Sequence, residues 1–273
     1  MPIIIILSAV IIFCLLLFLS LIGQGRGDFS FFISNPIAHR GLHDGDLCPE
    51  NSIAAFKRAV EKGCSIELDV HILKDGTLAV FHDDDLKRMA GLDRKLRDMT
   101  FSEIKKITLG KSQETIPTLK EVLELVDGRV PLLIELKTDG GVKGLCAAVK
   151  KELTGYNGKV CVQSFDPRPL RWFLKNCPHI PRGILSEKFR NGPAFPTVLI
   201  RFLISALFLN FQTAPSFISY RFTDRKNLLF WITVKVWKIK GFVWTITTKA
   251  DFKTALNEGY IPISEKIFSK GDQ

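Results

Sequence analysis

Short apolar runs bounded by turn residues recur along the chain and alternate with helical patterns, and this alternation limits the fold more than any other feature. The runs are Ile37–His39, Ser65–Val70, Leu132–Leu136, Val160–Ser164, Arg182–Leu185, Phe217–Tyr220, Phe242–Ile246 and Ile261–Ser264. Helical periodicity occupies Ser52–Lys62, Thr118–Val126, Val142–Leu153, Pro167–Lys175 and Lys249–Glu258 between them. Strands can pair in parallel when a helix supplies the crossover, and eight such units invite closure. The expected fold is α/β, a (β/α)8 TIM barrel over residues 36–273. A chain of 273 residues can bury one such core.

One segment breaks the alternation. Ile66 to Leu73 and Leu78 to Asp83 are joined only by Lys74-Asp75-Gly76-Thr77, too short for a parallel crossover, so a small β-hairpin arm is expected. A turn centred near Lys74 and Asp75 would set Glu67 opposite His82 and Asp69 opposite Val80.

Ahead of the barrel, Ile3 to Ile22 is apolar and uncharged, about the length that crosses a bilayer as a helix. It reads as an N-terminal transmembrane helix, residues 1–23, followed by a linker, residues 24–35. A cleaved signal peptide fits less well, because no Lys or Arg precedes Ile3 and the exit reads Gly23-Gln24-Gly25-Arg26. Arg26 and Arg40 follow the helix, which places the catalytic domain of a single-pass membrane protein on the cytoplasmic side. The formal net charge of +10 suits an anionic partner such as a lipid surface. Nucleic acid is disfavoured because the basic residues are scattered and no recognition module is present. Six cysteines without C-x-x-C spacing read as free thiols, and nothing calls for a protein partner.

Chemistry concentrates at the ends of the early strands. Glu67 and Asp69 lie two apart on one strand and therefore leave the same face of the sheet, and Glu135 interrupts another apolar strand. Inward carboxylates need partners. A hard divalent cation, Mg2+ or Ca2+, is one solution; salt bridges to Arg40 and Lys137 are the other. His39 ends the first strand and His82 the return of the arm, so two imidazoles can serve as acid and base for phosphodiester cleavage. Pro49-Glu50-Asn51-Ser52 precedes a helix that Asn51 or Ser52 can cap, and its amino terminus could favour an anion. Gln163 or Ser164 can line the pocket, and Trp244 can be a pocket wall or core filling.

Taken together, Ala38-His39-Arg40-Gly41, Pro49-Glu50-Asn51-Ser52, Ile66-Glu67-Leu68-Asp69-Val70, Lys74-Asp75-Gly76, Val80-Phe81-His82-Asp83 and Ile134-Glu135-Leu136-Lys137 resemble the glycerophosphodiester phosphodiesterase family in order and spacing. The resemblance implies hydrolysis of glycerophosphodiesters to an alcohol and glycerol 3-phosphate. It implies His39 and His82 as the acid-base pair, Glu67, Asp69 and Glu135 as metal ligands, and Arg40 and Lys137 as phosphate contacts. Glu50, Asn51, Gln163 and Trp244 stand as further pocket candidates. Many members end on a strand resembling G-I-I-T-D, whereas Ile261-Pro262-Ile263-Ser264-Glu265 stands here, so the resemblance does not extend to the last strand or to substrate contacts made from it. The anchor and an apolar stretch at residues 196–211 allow a lysophospholipid substrate, with that stretch either a packed helix or one dipping into lipid. A non-catalytic phospholipid-binding module is a third reading, disfavoured because all five metal and acid-base positions carry competent side chains.

Overall fold

The computed structural model describes residues 2–21, 27–45, 47–188, 207, 210–265 and 267, with the side chains of 16–21 and 211 excluded. Its centre is a closed ring of parallel strands: β1 (Ile37–His39), β2 (Ser65–Ile72), β4 (Leu132–Leu136), β5 (Val160–Ser164), β6 (Arg182–Ser186), β7 (Phe217–Arg221), β8 (Lys240–Ile246) and β9 (Ile261–Ser264). Pairing of β1 with both β2 and β9 closes it. The TIM barrel read from the alternation is thus the fold, and the sequence places four of the eight strands at their observed bounds.

The two-residue period of a strand divides each one between two jobs. Leu132, Ile134 and Leu136 point outward into a core shared with Phe56, Val122, Leu145 and Phe173 of the surrounding helices. Leu133 and Glu135 point inward. At the amino-terminal end the inward positions are apolar: Ile37, Leu133, Cys161, Phe217, Phe242 and Ile261 form one buried cluster. Gly183 belongs to that layer because a Cβ there would lie 2.0 Å from the Phe217 ring. At the carboxyl-terminal end the same faces carry His39, Glu67, Glu135, Gln163 and Trp244.

Residues 30–34, expected within a linker, instead form a short helix (Ser30–Ser34). Phe29 and Phe32 are buried with the amino-terminal cluster, meeting Phe242 edge-on at centroid distances of 5.6 and 5.5 Å. Aromatic area available to plug an open barrel end outweighs the freedom of a linker.

The hairpin arm is present but its register is shifted by one residue from the expected one. β3 (Leu78–Val80) runs antiparallel to β2 with Val70 opposite Val80 and Ile72 opposite Leu78. Leu73 and Thr77 close the turn, and Gly76 takes φ +85°, so the loop has three residues instead of four. Asp75 fixes it by accepting from the Thr77 and Phe101 amides at 3.1 and 2.8 Å. Beyond β3, residues 81–116 build a compact insertion around Phe81, Leu86, Leu96, Met99, Ile104 and Ile116.

Helix α1 (Pro2–Leu21) is the element expected from the apolar amino-terminal segment. Among the described residues, no helix is long and apolar enough to cross a membrane; the side chains of α1 are described only over 2–15, and all of these are exposed. The expected spanning anchor is thus not established by the fold. The apolar stretch at 196–211 lies almost wholly outside the described residues. Free thiols are as expected for the six cysteines.

If Phe32 closes the barrel end, Phe32→Ala lowers the unfolding free energy by about 3–5 kcal/mol. Denaturant titration followed by circular dichroism checks this, and a loss below about 1 kcal/mol would place the residue outside the cooperative core.

Candidate active site

β2 and β4 deliver the acids. Asp69 lies beside Glu135 in the parallel register, Glu67 and Asp69 share a face, and one carboxylate oxygen from each of Glu67, Asp69 and Glu135 falls within 4.8 Å of the others. All three side chains are buried. Burial, reinforced by Asp69, pushes the Glu67 carboxyl well above the ordinary range. Burial also works against Asp69, but Lys137, His82 and Arg40 outweigh it and hold that carboxyl far below the ordinary range.

The expected counter-ions are in place. Lys137 Nζ lies 2.5 Å from Glu135 Oε1 and 3.0 Å from Asp69 Oδ1. Arg40 approaches Asp69 with Nε at 3.4 Å, and its backbone amide donates to Glu67 at 3.2 Å. The salt bridges to Arg40 and Lys137 are therefore formed. Arg40 is shared with Glu50, which accepts from it at 2.7 Å. Among the described residues, Glu50, Glu67, Asp69, Asp83, Glu135 and Glu265 crowd round three fixed cations, Arg40, Arg88 and Lys137. Asp69 Oδ1 is buried and ion-paired with Lys137, but no hydrogen bond of good geometry is directed at it. Three buried carboxylates within reach of one another and an oxygen without a directed donor fit a hard divalent cation on Glu67, Asp69 and Glu135.

The imidazoles stand on either side. His39 Nδ1 lies 2.6 Å from Glu265 Oε1, while its Nε2 is 3.9 Å from Glu67. The bond to His39 draws the Glu265 carboxyl down to about 2, against burial. His82 Nδ1 lies 2.6 Å from Asp83. With Nδ1 engaged in each ring, Nε2 is the nitrogen available to the cleft, whose wall includes both histidines.

The remaining candidates separate. Asn51 donates to Asp69 Oδ2 at 2.9 Å and is an orienting residue. Ser52, not Asn51, caps the following helix, Ile53–Glu61, by accepting from the Ala55 amide. The Ala54 amide is taken by Glu114, so that helix end is not open to a substrate anion as expected. Gln163 donates to Glu67 at 3.3 Å and faces the cleft, whereas Ser164 bonds to the Leu136 carbonyl. Trp244 lines the cleft, edge-on to Phe165 at 5.7 Å.

Three residues escaped the sequence reading. Glu265 supplies the acid beside His39, and an acid directly after the last strand was the available signal. Arg88 Nε donates to Asp83 at 2.6 Å, and its two other nitrogens fork onto Glu50 at 3.0 and 2.6 Å. A continuous chain Arg40, Glu50, Arg88, Asp83, His82 thereby ties the first strand's end to the insertion. His43 Nε2 is buried, 3.9 Å from Glu265, and burial lowers its pKa; no motif marked it.

Charge of both signs gathered at one rim of a parallel barrel, with paired imidazoles presenting Nε2, is an arrangement suited to acid-base hydrolysis of anionic esters. The Glycerophosphoryl diester phosphodiesterase family model matches residues 39–263, and the chain belongs to that family. A glycerophosphodiester phosphodiesterase of Caldanaerobacter subterraneus is 40% identical over 163 residues, 55% of this chain and 66% of that protein, just under two thirds of its length. Human lysophospholipase D GDPD1 is 26% identical over 84% of this chain and 82% of its own. Among solved structures, a phosphodiesterase from Oleispira antarctica in complex with its product sn-glycerol-3-phosphate superposes with TM-score 0.69 at 25% identity, covering 85% of this chain and 92% of that one. A Thermotoga maritima glycerophosphodiester phosphodiesterase does so at 0.64 and 27%, covering 85% and 93%.

Burial, with Asp69, pushes the Glu67 carboxyl up to about 8, which favours its protonated form in the cation-free fold at neutral pH, so a cation binding there displaces a proton. Affinity for Mg2+ or Ca2+ therefore rises with pH and binding releases protons, which calorimetry in buffers of different ionisation heat measures directly; pH-independent affinity would be inconsistent with Glu67 as a ligand. Arg88→Ala loosens His82 and Arg40 together and lowers kcat by about ten- to hundredfold. Arg88→Lys, which cannot fork onto Glu50, does not restore it.

Proposed function

We propose that the chain hydrolyses glycerophosphodiesters to an alcohol and glycerol 3-phosphate. The observation that carries this reading is the convergence of three buried carboxylates and two oriented imidazoles on one cleft. One histidine withdraws the proton from the attacking oxygen as it bonds to phosphorus. The other protonates the alkoxide as the P–O bond breaks, and the two exchange protonation states over the cycle. Glu265 and Asp83 keep each ring in the tautomer with Nδ1–H, so that Nε2 does the transfer. Glu67, Asp69 and Glu135 would hold a divalent cation, which would supply positive charge for the phosphoryl oxygens. Lys137 and Arg40 add fixed positive charge at the same place, Gln163 and Trp244 shape the cavity around the substrate, and Asn51 orients Asp69.

Two observations favour a second reading, in which the diester is a lysophospholipid. The chain matches human lysophospholipase D GDPD1 over most of its length, and α1 presents apolar side chains to the outside. The backbone of α1 is helical for 20 residues, and its described side chains, residues 2–15, are uncharged and exposed. We take α1 as a single-pass anchor with the barrel on the cytoplasmic side, the side on which Arg26 and Arg40 would be retained.

Choline release is measured from glycerophosphocholine and lysophosphatidylcholine side by side, with and without chelator. The expected result is cation-dependent release from at least one diester, with His39→Ala and His82→Ala each lowering turnover about 10²-fold or more in folded protein. Near-normal turnover in either variant, or full activity after demetallation, would remove the mechanism.

A further inference from the structure

Between β7 and β8 the chain turns apolar side chains both ways. Phe230, Thr233 and Val234 are buried, and Phe230 stacks on Tyr220 and Tyr260 at 4.6 and 5.6 Å. On the outer side Leu228 is 68%, Trp231 47%, Val236 57% and Trp237 46% exposed. Single exposed apolar residues are ordinary, but these fall together within residues 228–237. Around them, residues 225–240 carry Arg225, Lys226, Lys235, Lys238 and Lys240 and only one acid precedes them closely, the buried Asp224. Arg225 and Lys235 are engaged by Glu258, and Lys226 and Lys238 lie exposed near the two ends.

Indole rings beside aliphatic side chains, flanked by lysines, match the boundary between headgroups and acyl chains. The rings bury their apolar bodies while the ammonium groups meet anionic headgroups. The location agrees. A groove lined by Gly27, Phe29 and Ile33 on one side and Trp237, Lys238 and Lys240 on the other joins the segment to the stretch that follows α1. We propose that residues 228–240, with Ile33, form a second membrane contact that lays the barrel against an anionic bilayer surface. The proposal rests on the membrane association of α1 proposed above. Leu228 follows β7 on the cleft side and Trp237 and Lys238 precede β8 at the opposite rim, so the patch runs along the wall of the barrel.

The test uses the full chain reconstituted into vesicles of equal phosphatidylcholine and phosphatidylglycerol with brominated acyl chains. The four tryptophans are Trp172, Trp231, Trp237 and Trp244, and only the middle pair lies in the patch. The expected result is quenching of tryptophan emission that Trp231→Phe/Trp237→Phe removes, while flotation with the vesicles and cleavage of glycerophosphocholine stay unchanged. Exchanging phosphatidylglycerol for phosphatidylcholine, or introducing Lys226→Glu/Lys238→Glu, should reduce the quenching at least about twofold. Equal quenching in wild type and the double variant overturns the proposal, as does quenching indifferent to lipid charge. A chain that floats without quenching and cross-links as a dimer through this face overturns it in favour of a second copy. A chain that does not float at all overturns the anchor as well, and lost diester cleavage bears on the active site alone.

Discussion

Carboxylates buried within reach of one another at the mouth of a barrel repel, and neither protonation nor the available lysine and arginine fully relieves them. Burial and Asp69 push the Glu67 carboxyl toward its neutral form, while Lys137, His82 and Arg40 hold Asp69 toward its charged form. Much of the rest of the site is arranged by that tension. Asn51 turns its amide onto Asp69, Gln163 turns its own onto Glu67, and Arg40 is divided between Asp69 and Glu50. Buried charge of this kind destabilises a fold unless something positive joins it, so a cation would bind the site and stabilise the barrel by the same contacts.

The barrel tolerates this because its interior is stratified. Phenylalanines and branched side chains fill the amino-terminal layers, and the stability they supply offsets a polar layer above. Alternation along each strand delivers both layers from the same short segments, one residue to the apolar layer and the next inward residue to the charged one. His39, Glu67, Asp69 and Glu135 thereby sit on strands of the ring, Arg40, Lys137 and Glu265 directly follow strand ends, and His82 and Asp83 come from the insertion.

The barrel could be read from the sequence because its signals are local. Apolar runs such as Leu132–Leu136 and capped helices such as Leu119–Val126 declare themselves within a few residues, and the order of acids and histidines along them matched a known family. What could not be read depends on distance. Glu265 meets His39 across nearly the whole length of the chain, and Arg88 reaches Glu50 over a gap that no periodicity encodes. The arm failed by one residue because loop length, set by the left-handed Gly76, decides register, and a single-residue slip changes which side chains face each other. Phe29 and Phe32 looked like linker because nothing local reveals an open barrel end waiting to be filled.

The insertion over residues 81–116 has a core of its own, set apart from the one beneath the helices. A unit with separate packing can open while the ring stays shut. In that state His39 and the three carboxylates keep their places, but the opposite imidazole, with Asp83 and Arg88, has departed together. Warming would then silence turnover ahead of melting, and the half-assembled rim would regain competence on cooling without the barrel having to fold again.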